Sequence, residues 1–257
     1  MINLQRLNMD NSWFLEFEGL KLLIDPWLEG VEIDYFSWFN KQWHRTPPLD
    51  YGKVPSFDAV LITQKYPDHL HQVTLEKLQP KKVIGPKSIQ KEIKKTLPNA
   101  EFIGLDKHQS KISINDIDIY FLPTRRAIDP IYDGYVLSSE NESVYLLSHG
   151  FSLDEQHLDS LANVPTCSLM FTPFNLYKLP FFLGGVVSPG IESVEKLCEQ
   201  IQPKVIVPTH DEDKHAEGIV SKFAKIEWSA QPEDLLKYPW LTDRYQAFSD
   251  YNLKRIS

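Results

Sequence analysis

The segment LITQKYPDHLH, residues 61–71, ends an apolar run in a polar loop that carries Asp68, His69 and His71. A carboxylate beside an imidazole offers an oxygen and a nitrogen ligand, a donor pair from which many zinc and iron sites are built. Three further segments also stop an apolar run at a ligand-type residue: LLIDPW with Asp25, VYLLSHGF with His149 and VIVPTHDED with His210. One histidine after a strand is ordinarily a hydrogen-bonded structural residue. Four such ends in one chain point to a common chemical centre, because loops at strand ends are where a rigid scaffold presents reactive groups.

The elements that must position these residues follow from periodicity and turn chemistry. INLQRL, SWFLEFEG and LKLLIDPW read as a β-meander with a glycine-centred turn at EGLK. DYFSWFNKQWHRTPP reads as an irregular aromatic loop stopped by Pro47 and Pro48. From Ala59 onward strands and helices alternate: a strand at AVLIT, a helix over VTLEKLQ, a strand at KKVIGP and a helix over SIQKEIKKTL. Strands return at AEFIGL and KISINDIDIYFLPT, the second alternating apolar and polar residues.

The second half repeats this rhythm, with a hairpin over GYVLSSENESVYLLS, a helix over DEQHLDSLAN and a strand at CSLMFTP. An amphipathic helix over GIESVEKLCEQI and a strand at KVIVPTH follow; Ile191, Val194, Leu197 and Ile201 recur at helical spacing and mark a core face. PEDLLKYPWL reads as a terminal helix. Two β-rich halves covered by helices predict layered sheet-on-sheet structure with helices outside.

Composition excludes several classes. The chain of 257 residues is 42% hydrophobic, ordinary for a full core, and its formal charge of −8 disfavours binding to a phosphate backbone. No stretch approaches the ~20 apolar residues of a membrane span, and the N-terminus does not read as a signal peptide. Cys167 and Cys198 stand without a CxxC or CxxH partner and are expected to be reduced structural residues of a cytoplasmic protein.

The order of these segments resembles the metallo-β-lactamase superfamily, and within it the branch that includes ascorbate-6-phosphate lactonase and N-acyl-phosphatidylethanolamine phospholipase D. NSWFLEFEGLKLLIDPWL looks like that branch's opening strands, AVLITQKYPDH like its Thr-His-x-His-x-Asp-His signature, ENESVYLLSHG like the hairpin that normally ends in Gly-Asp-Thr, and KVIVPTH like its closing strand. The resemblance covers about residues 2–225. It implies an α/β (α+β) fold, a four-layer αββα sandwich, as one domain over residues 1–257 with residues 226–257 as a C-terminal extension.

Position by position, the resemblance implies a reduced site. The two leading histidines of the signature fall on Gln64 and Tyr66, and the third ligand of that first metal site falls where the chain has Thr124, Arg125 and Arg126. The second site keeps Asp68, His69 and His210, and the carboxylate that bridges two metals aligns with His149. The implied centre is one divalent metal, zinc ahead of iron or manganese, on Asp68, His69, His149 and His210.

Arg125 or Arg126 would replace part of the missing charge and bind an anionic group of a small-molecule substrate. Asp68 would be a ligand or the general base, and Tyr66 would donate to a developing oxyanion. Asp25 would steady a ligand. The expected reaction is hydrolysis of an ester, lactone or phosphoester of a small anionic or amphiphilic molecule. Phe36, Trp38, Phe39, Trp43 and the apolar residues 179–183 would form a mini-core or line the pocket.

The alternative is a non-catalytic binding or scaffold protein that kept the fold and lost the metals. Asp68 would then cap the helix near His71, and Gln64 and Tyr66 would bond each other or Arg126. A redox protein with a two-histidine, one-carboxylate iron site is a third reading on ligand type alone. A nuclease fits least, given the acidic balance.

Overall fold

The apolar segments of the sequence become sheet strands almost without exception. A computed structural model describes residues 1–124, 133–227, 232–235 and 237–256. The opening meander is β1 (Ile2–Arg6), β2 (Trp13–Phe17) and β3 (Leu20–Ile24), followed by β4 (Val31–Asp34) and β5 (Asn40–His44). Next come β6 (Ala59–Leu61), α1 (Gln72–Leu78), β7 (Lys82–Pro86), α2 (Gln90–Thr96) and β8 (Glu101–Leu105).

The middle of the chain runs β9 (Lys111–Ile114), β10 (Ile117–Leu122), β11 (Gly134–Ser138), β12 (Ser143–Leu146), α3 (Glu155–Ser160) and β13 (Cys167–Thr172). It continues with β14 (Leu176–Lys178), β15 (Val186–Pro189), α4 (Ile191–Ile201) and β16 (Val205–Pro208). The remainder is β17 (Lys214–Glu217), α5 (Ile219–Phe223), β18 (Lys225–Glu227), α6 (Pro232–Leu235), α7 (Pro239–Thr242) and β19 (Lys254–Ile256). The fold is mixed α/β with several sheets.

The chain forms two compact units. The first comprises Met1–Gln109, Glu212–Lys222 and Ser249–Ser257. It holds a sheet of order β19-β1-β2-β3-β6-β7-β8 and a small sheet of order β17-β5-β4. The meander strands pair antiparallel, whereas β3, β6, β7 and β8 run parallel, so the ends of β3 and β6 and the loops after them lie at one edge. Leu23, Val60, Ile62 and Val83 pack against Leu75, Ile89 and Ile93 from the helical side.

The second unit comprises Ser110–Asp211 and Phe223–Phe248. Its main sheet has the order β16-β13-β12-β11-β10-β9, with β12, β13 and β16 parallel, so residues 147–150, 173–175 and 209–211 leave from neighbouring strand ends. Val194 and Leu197 of α4 are buried against Met170 and Ile206, with Ile191 and Ile201 beside them, as the helical spacing predicts. Cys167 and Cys198 are both free and buried here.

Three expectations change. The aromatic segment is a hairpin, β4–β5, whose strand pairing was hidden by its aromatic and acidic composition. KISINDIDIYFLPT is two strands, because Asn115 and Asp116 both adopt positive φ (48° and 62°) and turn the chain back on itself. The tail carries two short helices, α6 and α7, and then β19, which pairs with β1.

Candidate active site

In the first unit the site begins where β3 ends. Asp25 adopts φ 46°, a left-handed conformation that aims its carboxylate back across the edge of the sheet. Ser12 ties this corner down, donating to the Asp25 carbonyl at 2.6 Å and accepting from the Trp27 amide at 3.0 Å. The Asp25 carboxylate accepts from the Thr63 amide (2.7 Å) and the Thr63 hydroxyl (2.6 Å), and its Oδ2 lies 2.8 Å from His69 Nδ1.

Since a carboxylate only accepts, Nδ1 of His69 carries a proton, and in the neutral ring Nε2 keeps its lone pair. Burial alone would lower the His69 pKa, but the charges of Asp25 and Asp68 outweigh it and raise it above the ordinary histidine value. Asp68 Oδ1 lies 3.9 Å from His69 Nε2. Two ligands of one tetrahedral zinc at bond lengths of ~2.0–2.1 Å stand roughly 3.3 Å apart, so a small side-chain rotation brings this pair to a common ion.

Asp68 also faces a cation of the chain. Lys214 Nζ lies 3.6 Å from Asp68 Oδ2, 3.1 Å from Asp10 Oδ2 and 3.7 Å from Glu212 Oε2. Burial would pull the ammonium down, yet these carboxylates hold it well above the ordinary lysine value. Burial pushes Glu212 up to about 7. Burial, followed by the charge of Asp68, pushes Glu32 up to about 10 and Asp34 up to about 6.

The sequence reading missed Lys214, Asp10, Glu32 and Asp34. The signal for Glu32 and Asp34 was the alternation Val31-Glu32-Ile33-Asp34, which fits a strand with its acidic side inward. For Lys214 it was a lysine in HDEDKH, directly after the three acids Asp211, Glu212 and Asp213.

Other expected residues have different duties. His71, not Asp68, is the N-cap of α1, accepting from the Thr74 amide. Burial, then His44, pulls the His71 pKa down to about 4. His44 Nε2 lies 3.1 Å from the Trp27 carbonyl, and its ring sits 3.9 Å from that indole. Tyr66 is half-buried, and its carbonyl accepts from the His69 and Leu70 amides, forming the turn that presents His69. Gln64 is buried, and neither of its amide atoms has a hydrogen-bond partner among the described residues. Phe36 and Trp38 stack on one another at the exposed hairpin tip instead of forming a mini-core.

In the second unit His149 follows β12 and His210 follows β16, and their ring centroids lie 4.8 Å apart. His149 Nδ1 lies 3.1 Å from the Val187 carbonyl, and Asn175 donates to the His210 carbonyl at 2.9 Å. His210 holds φ 54°, strain of the kind that tertiary structure maintains at functional corners. Gly150 must be glycine: it has φ 68°, and a Cβ there would meet Thr172 Oγ1 at 3.0 Å and the Pro173 ring at 3.2 Å.

Beside His149 lies a cavity of about 250 Å³ lined by Thr124, Gly150, Ser152, Asp154 and His157, among others. His157 is half-buried, forms a capping box with Asp154 on α3 and lies 3.0 Å from the Pro123 carbonyl through Nε2. Thr124 and Asp133 are joined at 2.7 Å, amide to carboxylate. Arg125 and Arg126, expected to bind substrate, lie outside the described residues.

Comparisons with known proteins bear on the family and the fold. A family model described as a beta-lactamase superfamily domain matches residues 8–210. A UPF0173 metal-dependent hydrolase of Pyrococcus abyssi is 22% identical over 197 residues, covering 74% of this chain and 76% of the relative. Among solved structures, an isothiocyanate hydrolase from Delia radicum gut bacteria superposes with a TM-score of 0.71 at 16% identity, covering 99% of both chains. Igni18, a metallo hydrolase of Ignicoccus hospitalis, superposes with a TM-score of 0.64 at 15% identity, covering 98% of this chain and 97% of its own. Among the described residues no helix is long and apolar enough to cross a membrane.

Proposed function

Because the chain belongs to the metallo-β-lactamase superfamily, we propose that it is a metal-dependent hydrolase whose one divalent cation is held by Asp68, His69, His149 and His210. The observation that carries this reading is the contact of Asp25 with His69, at 2.8 Å. A carboxylate that fixes the tautomer of a buried imidazole and turns its second nitrogen outward is the usual companion of a metal-binding histidine. The ligand set has three nitrogens and one oxygen, which suits zinc first and iron or manganese next.

When bound, such an ion supplies a Lewis acid and lowers the pKa of a coordinated water towards ~7. The chain's own residues do the rest. Asp25 holds the Nδ1 proton of His69 and keeps that ring from rotating. Asp68 either completes the ligand set or, with the three histidines holding the ion, accepts a proton from the attacking water, and Lys214 moderates its charge in both roles. Tyr66 donates to the oxyanion that develops on the substrate. Arg125 or Arg126, next in sequence to the cavity-lining Thr124, anchors an anionic group. The substrate is an ester, lactone or phosphoester of a small anionic or amphiphilic molecule.

Metal analysis of protein expressed without a histidine tag, stripped with chelator and reloaded with zinc, tests the reading. The expected result is about one equivalent per chain. His69→Ala and His210→Ala should bring it close to zero while circular dichroism stays unchanged. Wild-type stoichiometry near zero overturns the proposal. Hydrolysis of a panel of esters, lactones and phosphoesters by the reloaded protein then identifies the bond cleaved.

One observation favours the second reading, a binding or scaffold protein on the same fold. The carboxylate of Asp68 is already compensated by Lys214, an arrangement that needs no metal. Under this reading zinc fails to bind and the same panel is untouched.

A further inference from the structure

The inward face of the small sheet in the first unit is rich in acceptors and poor in donors. Register places Glu32 opposite Gln42, Asp34 opposite Asn40, and Lys214 opposite His44, so these six side chains share one face of β4, β5 and β17. Both carboxyl oxygens of Glu32 are buried and accept no hydrogen bond among the described residues. The same holds for Oδ1 of Asn40, although its Nδ2 donates to Asp34 Oδ2 at 2.9 Å. Glu32 is 1% exposed and Asn40 4%. Buried acceptors in folded proteins nearly always have donors, so three together without one call for explanation.

The cluster shows which chemistry it suits. It already surrounds one ammonium, that of Lys214, with Asp10, Asp68 and Glu212. Among the described residues no three of its carboxylates are close enough together to hold a metal ion. That spacing is too open for a divalent metal ion, whose oxygen ligands lie ~2.0–2.6 Å from it. An ammonium brings only donors, directed outward along its N–H bonds, and one positive charge. Asp34 and Gln42 are half-buried, so the face is open at that end.

We infer that Glu32, Asp34 and Asn40 form a recognition site for a primary or secondary ammonium group. That this ammonium belongs to the substrate rests on the hydrolase reading above. Asp34 and Glu32 lie in the electrostatic field of Asp68, and Asp34 also in that of His69. The substrate class then narrows to an ester, lactone or phosphoester that carries a protonated amine.

Calorimetric titration of the purified full chain with ethylammonium chloride, tetramethylammonium chloride and potassium chloride at matched ionic strength tests the site. Saturable binding of ethylammonium is expected. Tetramethylammonium, which has no N–H, and potassium should bind at least about tenfold more weakly. Glu32→Gln should weaken ethylammonium by a similar factor. The comparison of cations in the wild type needs no variant and stands even if Glu32→Gln misfolds. No saturable ethylammonium binding, equal affinity for either control cation, or an unchanged affinity in folded Glu32→Gln overturns the inference. Zinc titration of the same preparation reads the hydrolase proposal separately, so either can fail while the other holds.

Discussion

His69 Nδ1 and Asp25 Oδ2 meet at 2.8 Å, from the loops that follow the neighbouring parallel strands β3 and β6. Both side chains are 1% exposed. With Thr63 donating to the same carboxylate through its amide and hydroxyl, the imidazole has one orientation and one tautomer. Asp25→Asn keeps the shape and replaces the carboxylate with a weaker, ambivalent partner. Zinc affinity, measured by competition with a chromophoric chelator, should fall about 10–100-fold with secondary structure retained. Unchanged affinity would show that His69 is not a ligand.

Lys214 is the counter-ion of several buried acids, and its side chain is 6% exposed. Lys214→Met leaves Asp10, Asp68 and Glu212 without that charge, and breaking a buried pair from one side costs about 3–5 kcal/mol. Urea denaturation should show a lower midpoint with an unchanged slope. Lys214→Arg, which keeps the charge, should lose less.

Glu32 gives a pH dependence with a definite sign. With no ammonium ligand beside it, the Glu32 carboxyl of the folded chain holds its proton up to about 10, against an ordinary value of 4.5. The folded state therefore binds more protons across that window, and stability falls as pH rises through it. Glu32→Gln removes this titration. The variant's melting temperature should exceed that of the wild type by a margin that widens from about pH 5 to about pH 9. A constant margin would mean that Glu32 is ionised throughout.

The tryptophans separate core from surface. Trp27 is fully buried, whereas Trp38 at the hairpin tip is 61% exposed. Trp27→Ala should cost about 3–5 kcal/mol in chemical denaturation. Trp38→Ser should stay within about 0.5 kcal/mol. A large loss at Trp38 would place the tip in contact with something that protects it.

The main sheets were readable because their strands are apolar runs bounded by turn residues, and the α4 face was readable from the spacing of Ile191, Val194, Leu197 and Ile201. The β4–β5 hairpin was not, because its inward residues are Glu32, Asp34 and Asn40 and its outward ones include Val31 and Ile33, the reverse of the usual alternation. Asp25 and His69 were legible as types at strand ends, since Asp-Pro and Asp-His are local signals. Lys214 was not, because its partners Asp10 and Asp68 are far away in sequence and only the fold collects them. The turn at Asn115 and Asp116 lay within an unbroken alternation, where periodicity carries no mark of reversal.

The pairing of β19 with β1 has a consequence for biosynthesis. Ile2 lies opposite Ile256, so the edge of the first sheet waits for a strand about 250 residues further along the chain. The second unit interrupts the first twice along the chain, with residues 110–211 and 223–248 inserted between its pieces. A nascent chain of about 250 residues would still carry an unzipped β1, a natural place for a chaperone to linger or a neighbouring strand to intrude.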